Sequence, residues 1–135
     1  MDKLIIYTDG GARGNPGPAA VGVVIYDAGH KELERYEKYI GTTTNNQAEY
    51  RALLAALEIA TKLGAESIVC HLDSELVVKQ LTGKYKIKES GLASLAADAL
   101  RLTSKFEVVD FVHIPREKNK LADQLVNSAL DKAGF

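Results

Sequence analysis

The hydropathy pattern of this chain changes character near residue 44, and that change restricts the fold more than any other feature. Before it, three stretches rich in β-branched and aromatic residues follow one another: residues 3–8, Ala20–Tyr26 and Glu32–Ile40. The third alternates charged with apolar side chains, as an antiparallel strand with one wet face does. Between them, the glycine-rich segment Gly10–Pro18 reads as a loop and Asp27–Lys31 as a turn, so the first strand is expected to end at Thr8-Asp9. After residue 44 the pattern turns helical. Thr44 and Gln47 have capping-box spacing, and Ala48, Leu53, Leu54, Leu57 and Ile59 supply apolar faces until Gly64 closes the helix.

From there strand and helix alternate. Ser67–Leu72 reads as a strand, Ser74–Leu81 as a short helix and Glu89–Thr103 as a helix rich in Ala and Leu. Phe106–His113 reads as the last strand and Asn119–Lys132 as a terminal helix. Alternation of this kind implies parallel strands with helical crossovers. The expected fold is therefore α/β: a mixed five-stranded sheet, three antiparallel strands joined to two parallel ones, flanked by helices. A chain of 135 residues fits a single domain over 1–135, long enough to bury roughly two thirds of its unfolded surface. No internal repeat or sustained heptad is present.

On this frame sit four carboxylates, each just past a strand or at the front of a helix: Asp9, Glu49, Asp73 and Asp123. Carboxylates gathered at one point repel one another and resist desolvation, so their convergence calls for a compensating cation, a divalent metal being the expected one. Each also has a plainer reading. Asp9 before Gly10-Gly11 could start a turn, Glu49 could be a first-turn acid favoured by the helix dipole, Asp73-Ser74 could cap a helix, and Asp123 could be a helix-surface acid. Their occurrence together weakens all four plainer readings at once, because carboxyl ends of strands are where sites in such sheets collect.

Other chemistries find less support. Gly11-Ala-Arg-Gly14-Asn-Pro-Gly17 lacks both the Lys-Ser/Thr pair of a nucleoside triphosphate loop and the glycine spacing of a dinucleotide fold. Its backbone could still approach a polynucleotide closely, with Asn15 as a hydrogen-bonding side chain. Asn45 and Asn46 offer donors and acceptors to a sugar hydroxyl or base edge, and Thr44 could cap the helix or hold a phosphate. His30, His71 and His113 have no zinc-ligand spacing to one another or to Cys70, and no Gly-x-Ser-x-Gly elbow occurs.

Formal net charge is −1, whereas a protein relying on unspecific phosphate attraction is usually strongly basic. Local clusters argue the other way: Lys79, Lys84, Lys86 and Lys88 in one segment, and Arg116, Lys118 and Lys120 before Asp123. Each could equally be a solvated surface. The N-terminus lacks the apolar core of a secretion signal, and the longest apolar run, Ala19–Tyr26, is far short of a membrane span. The single cysteine, Cys70, has no intramolecular partner and suits packing in a reducing compartment. A cytoplasmic monomer without membrane contact is the expectation.

Thr8-Asp9-Gly10-Gly11, Thr44-Asn45-Asn46-Gln47-Ala48-Glu49, Asp73-Ser74 and Asn119-x-x-Ala122-Asp123 together resemble the four acidic motifs of ribonuclease H type 1, in order and setting, over nearly the whole chain. The resemblance implies an endonuclease that cuts the RNA strand of an RNA/DNA hybrid and leaves 5′-phosphate and 3′-hydroxyl ends. By it, Asp9, Glu49, Asp73 and Asp123 carry over as ligands of two ions, Mg²⁺ or Mn²⁺, with Asp9 bridging both. Asn15, Asn45 and Asn46 carry over as minor-groove contacts, backbone groups of Gly11, Ala12 and Arg13 as neighbours of RNA 2′-hydroxyls, and Thr44 as a holder of a DNA phosphate. Ser74, Lys84, Lys86 and Lys88 complete the expected substrate contacts, and double-stranded RNA is an alternative substrate.

The chain departs from many bacterial members in having only Gly83–Ser90 between its two middle helices, where those members carry a lysine-rich extra helix and loop. It also lacks an obvious counterpart of the family histidine in the loop before the last aspartate. In these respects it is similar to the compact archaeal-type and related bacterial members. His113 is expected to be structural, and Arg116, in the short loop before Asp123, to act on the phosphate or the departing product. Two rival readings stand beside this one: a module that binds hybrids without cutting them, and a signalling domain phosphorylated on Asp9 or Asp73.

Overall fold

The computed structural model describes residues 2–135. The first strand, β1 (Lys3–Ala12), pairs antiparallel with β2 (Gly17–Asp27), which pairs antiparallel with β3 (Glu32–Thr43). Helix α1 (Asn45–Lys62) then crosses to β4 (Ser67–Leu72), which lies parallel to β1. Helices α2 (Glu75–Leu81) and α3 (Ser90–Thr103) lead to β5 (Val108–His113), parallel to β4. A turn of 3₁₀ helix over Arg116–Lys118 precedes the final helix, α4 (Lys120–Lys132). The spatial order is β3-β2-β1-β4-β5, which puts β1 at the centre of the five-stranded mixed sheet that the sequence predicts.

The principal core lies on one face of the sheet. Leu4, Ile6, Val23, Ile25, Ile68, Cys70 and Leu72 point to that face, where Tyr50, Leu53 and Leu57 of α1 and Leu92 and Ala96 of α3 meet them. Alternation along each strand does this sorting, since successive side chains point to opposite faces. The thiol of Cys70, buried in this layer, is pushed up to about 12 by burial, in keeping with a packing role. On the other face α4 seals a smaller cluster of Ala20, Val126, Ala129 and Leu130. Among the described residues, no helix is long and apolar enough to cross a membrane.

Several strand boundaries differ from the sequence expectation; the last strand begins at Val108 rather than Phe106, and two other differences bear on the site. Gly10–Pro18 is not a loop: β1 continues through Gly10, Gly11 and Ala12, paired with Val21, Ala20 and Ala19, and only a short turn separates it from Gly17. Asp9 therefore lies within a strand, opposite Gly22. The parallel pairing of β1 with β4 nevertheless stops at Thr8, opposite Leu72, so Asp9 sits just beyond the carboxyl edge of the parallel half. The third strand likewise runs past Ile40 to Thr43, through a bulge at Ile40 and Gly41 where β2 shifts register. Gly41 has φ of +83°, a conformation that glycine adopts without steric cost.

Two strand glycines, Gly10 from the expected loop and Gly22 from the expected second strand, are there because helices lie on them. A Cβ on Gly10 would stand 2.2 Å from the Ala48 carbonyl oxygen of α1, and one on Gly22 would stand 2.4 Å from the Ala122 carbonyl oxygen of α4. Both helices thus touch the strand backbone directly. Ala48 precedes Glu49 and Ala122 precedes Asp123, so each close approach delivers a carboxylate to Asp9.

Candidate metal centre and substrate cleft

Oxygen atoms of Asp9, Glu49 and Asp73 lie within 4.8 Å of one another. Asp9 comes from the central strand, Asp73 from the residue after β4 and Glu49 from the opening turns of α1. Glu49 is 7% exposed and Asp9 6%. Burial, then the charge of Asp73, raises the Asp9 carboxyl from its ordinary value of 3.8 to about 7, and Asp123 adds to the rise. Glu49 is pushed well above the usual carboxylate range, first by burial and then by Asp9. The one backbone donor near it, Gly10 N–H, reaches Oε1 at a long 3.4 Å, and Oε2 has no partner.

Asp123, half-buried in the first turn of α4, lines the same cleft. Asn127 donates to its carbonyl at 3.2 Å and to its carboxylate at 3.5 Å, and the Arg116 guanidinium lies 4.0 Å from its Oδ1. Arg116 is otherwise free in solvent, its side chain 83% exposed. His113 ends β5, exposed and outside the cleft lining.

The cleft encloses about 490 Å³, with the acids on its floor and Gly10, Gly11, Ala12, Arg13, Asn45 and Arg116 along its sides. The residues along one side are tied to one another and to Asn15. The Asn45 N–H donates to Asn15 Oδ1 at 3.0 Å, and the Ala12 N–H donates to Asn45 Oδ1 at 2.8 Å. Arg13 donates its N–H to the Pro18 carbonyl at 2.8 Å. The amides of Ala12 and Arg13 are therefore engaged within the protein, which leaves carbonyls and side chains as the groups available to a ligand. The Arg13 guanidinium pairs with Asp131 at 2.8 Å and Asn127 Oδ1 at 3.2 Å, fastening the hairpin turn to α4.

Thr44 accepts the Gln47 N–H at 3.2 Å and so caps α1. The reciprocal half of the expected capping box is absent, because Gln47 Oε1 accepts the hydroxyl of Thr43 instead. Asn46 is half-buried in the first turn of α1. Ser74 caps α2 through Val77 N–H at 3.2 Å. Lys84, Lys86 and Lys88 are all exposed on the connection from α2 to α3. The start of α3, just after that connection, lies beside the start of α1, since a Cβ on Gly91 would come within 3.1 Å of Gln47 Nε2.

Sequence reasoning gave Asn127 no part, although it holds both Arg13 and Asp123. Its spacing of four from Asp123 on one helix face was the available signal.

A family model described as reverse transcriptase-like matches residues 7–129. A bifunctional protein of Mycobacterium tuberculosis is 45% identical over 132 residues, which are 97% of this chain and 36% of that protein. The chain thus spans about a third of the length of its mycobacterial relatives. The crystal structure of RNase H1 from the halophilic archaeon Halobacterium salinarum superposes with a TM-score of 0.94 at 43% identity, covering 96% of this chain and 98% of that one. A structure of LC11-RNase H1, a protein isolated from compost by a metagenomic approach, in complex with an RNA/DNA hybrid, superposes at 0.92 with 50% identity, covering 96% and 98%. Near-complete two-way coverage at this identity, on a sheet of the expected order with its acids gathered at the expected edge, makes the chain a member of the ribonuclease H type 1 family.

Proposed function

We propose that this domain hydrolyses the RNA strand of RNA/DNA hybrids by two-metal-ion catalysis, with Mg²⁺ or Mn²⁺, leaving 5′-phosphate and 3′-hydroxyl ends. The observation that carries the proposal is the gathering of Asp9, Glu49 and Asp73 within 4.8 Å on the floor of an open cleft. A divalent cation fits them. The donors are all carboxylate oxygens, as hard cations prefer, burial raises Asp9 and Glu49, and Glu49 Oε2 is buried without a partner.

Asp9, Glu49, Asp73 and Asp123 would hold the metal. When bound, the ions supply a nucleophilic water at neutral pH and stabilise the charge that develops on the leaving oxygen. The rest belongs to the chain's own groups. Asn15 and Asn45, already linked through the Asn45 N–H, present a fixed polar edge to the minor groove, and the backbone of Gly11, Ala12 and Arg13 in the cleft wall gives RNA 2′-hydroxyls the close approach that glycine permits. Asn46 joins them at the minor groove, while Thr44 and Ser74 at two helix starts and Lys84, Lys86 and Lys88 on the connection after α2 serve the DNA strand's phosphates. Arg116 brings a fixed positive charge to the phosphate. The buried lone Cys70 supports a reducing compartment such as the cytoplasm.

A labelled RNA/DNA hybrid, double-stranded RNA and double-stranded DNA, each incubated with Mg²⁺, Mn²⁺ or chelator, test the proposal. Metal-dependent cuts confined to the RNA strand of the hybrid are expected. Binding of hybrid with no cleavage under either metal would replace it with the reading of a non-cutting module.

A further inference from the structure

Asn119 occupies the N-cap of α4, a position where asparagine ordinarily turns its side-chain oxygen toward the free amides of the first turn. It does not do so here. Its Nδ2 donates instead to the Thr8 carbonyl at 2.8 Å and to Asp73 Oδ2 at 3.1 Å, while its Oδ1 has no partner. The residue is 1% exposed. A buried amide that gives up its cap and leaves its carbonyl oxygen unpaired is unfavourable for folding. The two bonds it does make explain its presence.

Their location is informative. Thr8 is the last β1 residue in register with β4, and Asp73 is the first residue after β4. The Nδ2 group therefore spans the gap that opens where the two strands part. The residue after Thr8 is Asp9. The Asn119 carbonyl in turn accepts the N–H of Asp123 at 3.1 Å, starting the helix that carries it. One side chain and its own backbone thus touch the supports of three of the four acids. A neutral amide donor orients the Asp73 carboxylate without cancelling its charge, which a lysine or arginine in the same place would do.

We infer that Asn119 is a positioning residue for the metal centre: it fixes the Asp73 carboxylate and the seat of Asp123 relative to Asp9, so that the ligand set is arranged before a cation arrives. This inference rests on the metal-dependent reading above. It needs no contact between Asn119 and either metal or nucleic acid.

Three variants of the full chain test it. Asn119→Ala removes both bonds. Asn119→Ser removes them too, being too short to span the gap, yet restores a preferred N-cap and so protects α4. Leu92→Ala, buried in the core beneath α3 at 3% exposure and outside the cleft lining, is a destabilised control. Mn²⁺ binding is read by electron paramagnetic resonance without nucleic acid, alongside thermal melting and the Mn²⁺ dependence of hybrid cleavage. Both Asn119 variants should weaken Mn²⁺ binding about tenfold to a hundredfold, the range found for partners of metal ligands. The Mn²⁺ needed for half-maximal cleavage should shift in parallel, and hybrid affinity in chelator should not move. Leu92→Ala should lower the melting temperature and leave Mn²⁺ affinity unchanged. Asn119→Ser binding Mn²⁺ within about twofold of wild type, or Leu92→Ala weakening Mn²⁺ as much as the Asn119 variants do, would overturn the inference. A wild-type protein that binds Mn²⁺ but cuts no hybrid would defeat the activity reading alone, and the Mn²⁺ comparison would still decide the role of Asn119.

Discussion

Asp9 concentrates the electrostatic tension of the molecule, because it is buried, opposed by Asp73 and Asp123, and raised to about 7. A carboxyl raised in the folded state binds its proton more tightly there than in the unfolded chain. Its contribution to stability is therefore full below about pH 4 and is lost as pH rises through about 7. Glu49 acts in the same direction. In chelator, wild type should lose stability relative to Asp9→Asn across that window, measured by thermal melting from pH 4 to 8. The same variant should lower cleavage at least about a hundredfold, since a ligand charge is gone. At the loop, Arg116 stands 4.0 Å from Asp123 while His113 lies outside the cleft. Arg116→Ala should cost roughly tenfold in turnover, and His113→Ala little beyond any stability change. A pH profile flattened by the His113 variant, with Arg116→Ala behaving as wild type, would reverse these assignments.

Elements bring the acids together through contact of backbone on backbone. Gly22 opposes Asp9 in the β1–β2 pairing, and its missing Cβ leaves room for the Ala122 carbonyl of α4. Gly22→Ala should destabilise the protein by about 1–3 kcal/mol, as overpacking does, and should lower cleavage by more than its share of unfolded protein explains. Denaturant titration with activity measured on the same samples checks both. These contacts also mark the limit of what the sequence could tell. The order of strands and helices was legible because it rests on local periodicity, and Asp73 and Asp123 stand out because they fall beside element boundaries, whereas Asp9 lies inside β1. The span Gly10–Ala12 was misread because glycine in a sequence signals a turn and a close tertiary approach alike; only the helices lying on Gly10 and Gly22 separate the two. The Asn119 bonds join residues 111 and 46 positions apart, beyond the reach of any local rule.

For the whole molecule, a formal charge of −1 sets the balance of substrate binding. With few phosphate contacts available, affinity for hybrid should be modest and fall with salt along a shallow log–log slope. Lys84, Lys86 and Lys88 are exposed cations on the connection between α2 and α3, so replacing all three with Ala should raise the Michaelis constant more than it lowers turnover and flatten the salt dependence further. A Michaelis constant equal to wild type across the salt series would return this segment to a plain solvated connection. The central place of β1 carries a wider consequence. Its pairing with both neighbours, and the two helices seated against it, leave Asp9 on the part of the fold that opens last. Thermal fraying at the sheet edges would pass the floor of the cleft by. Loss of activity on heating should then follow the global melting curve, with no earlier inactivation step, so that this domain is either fully competent or wholly unfolded.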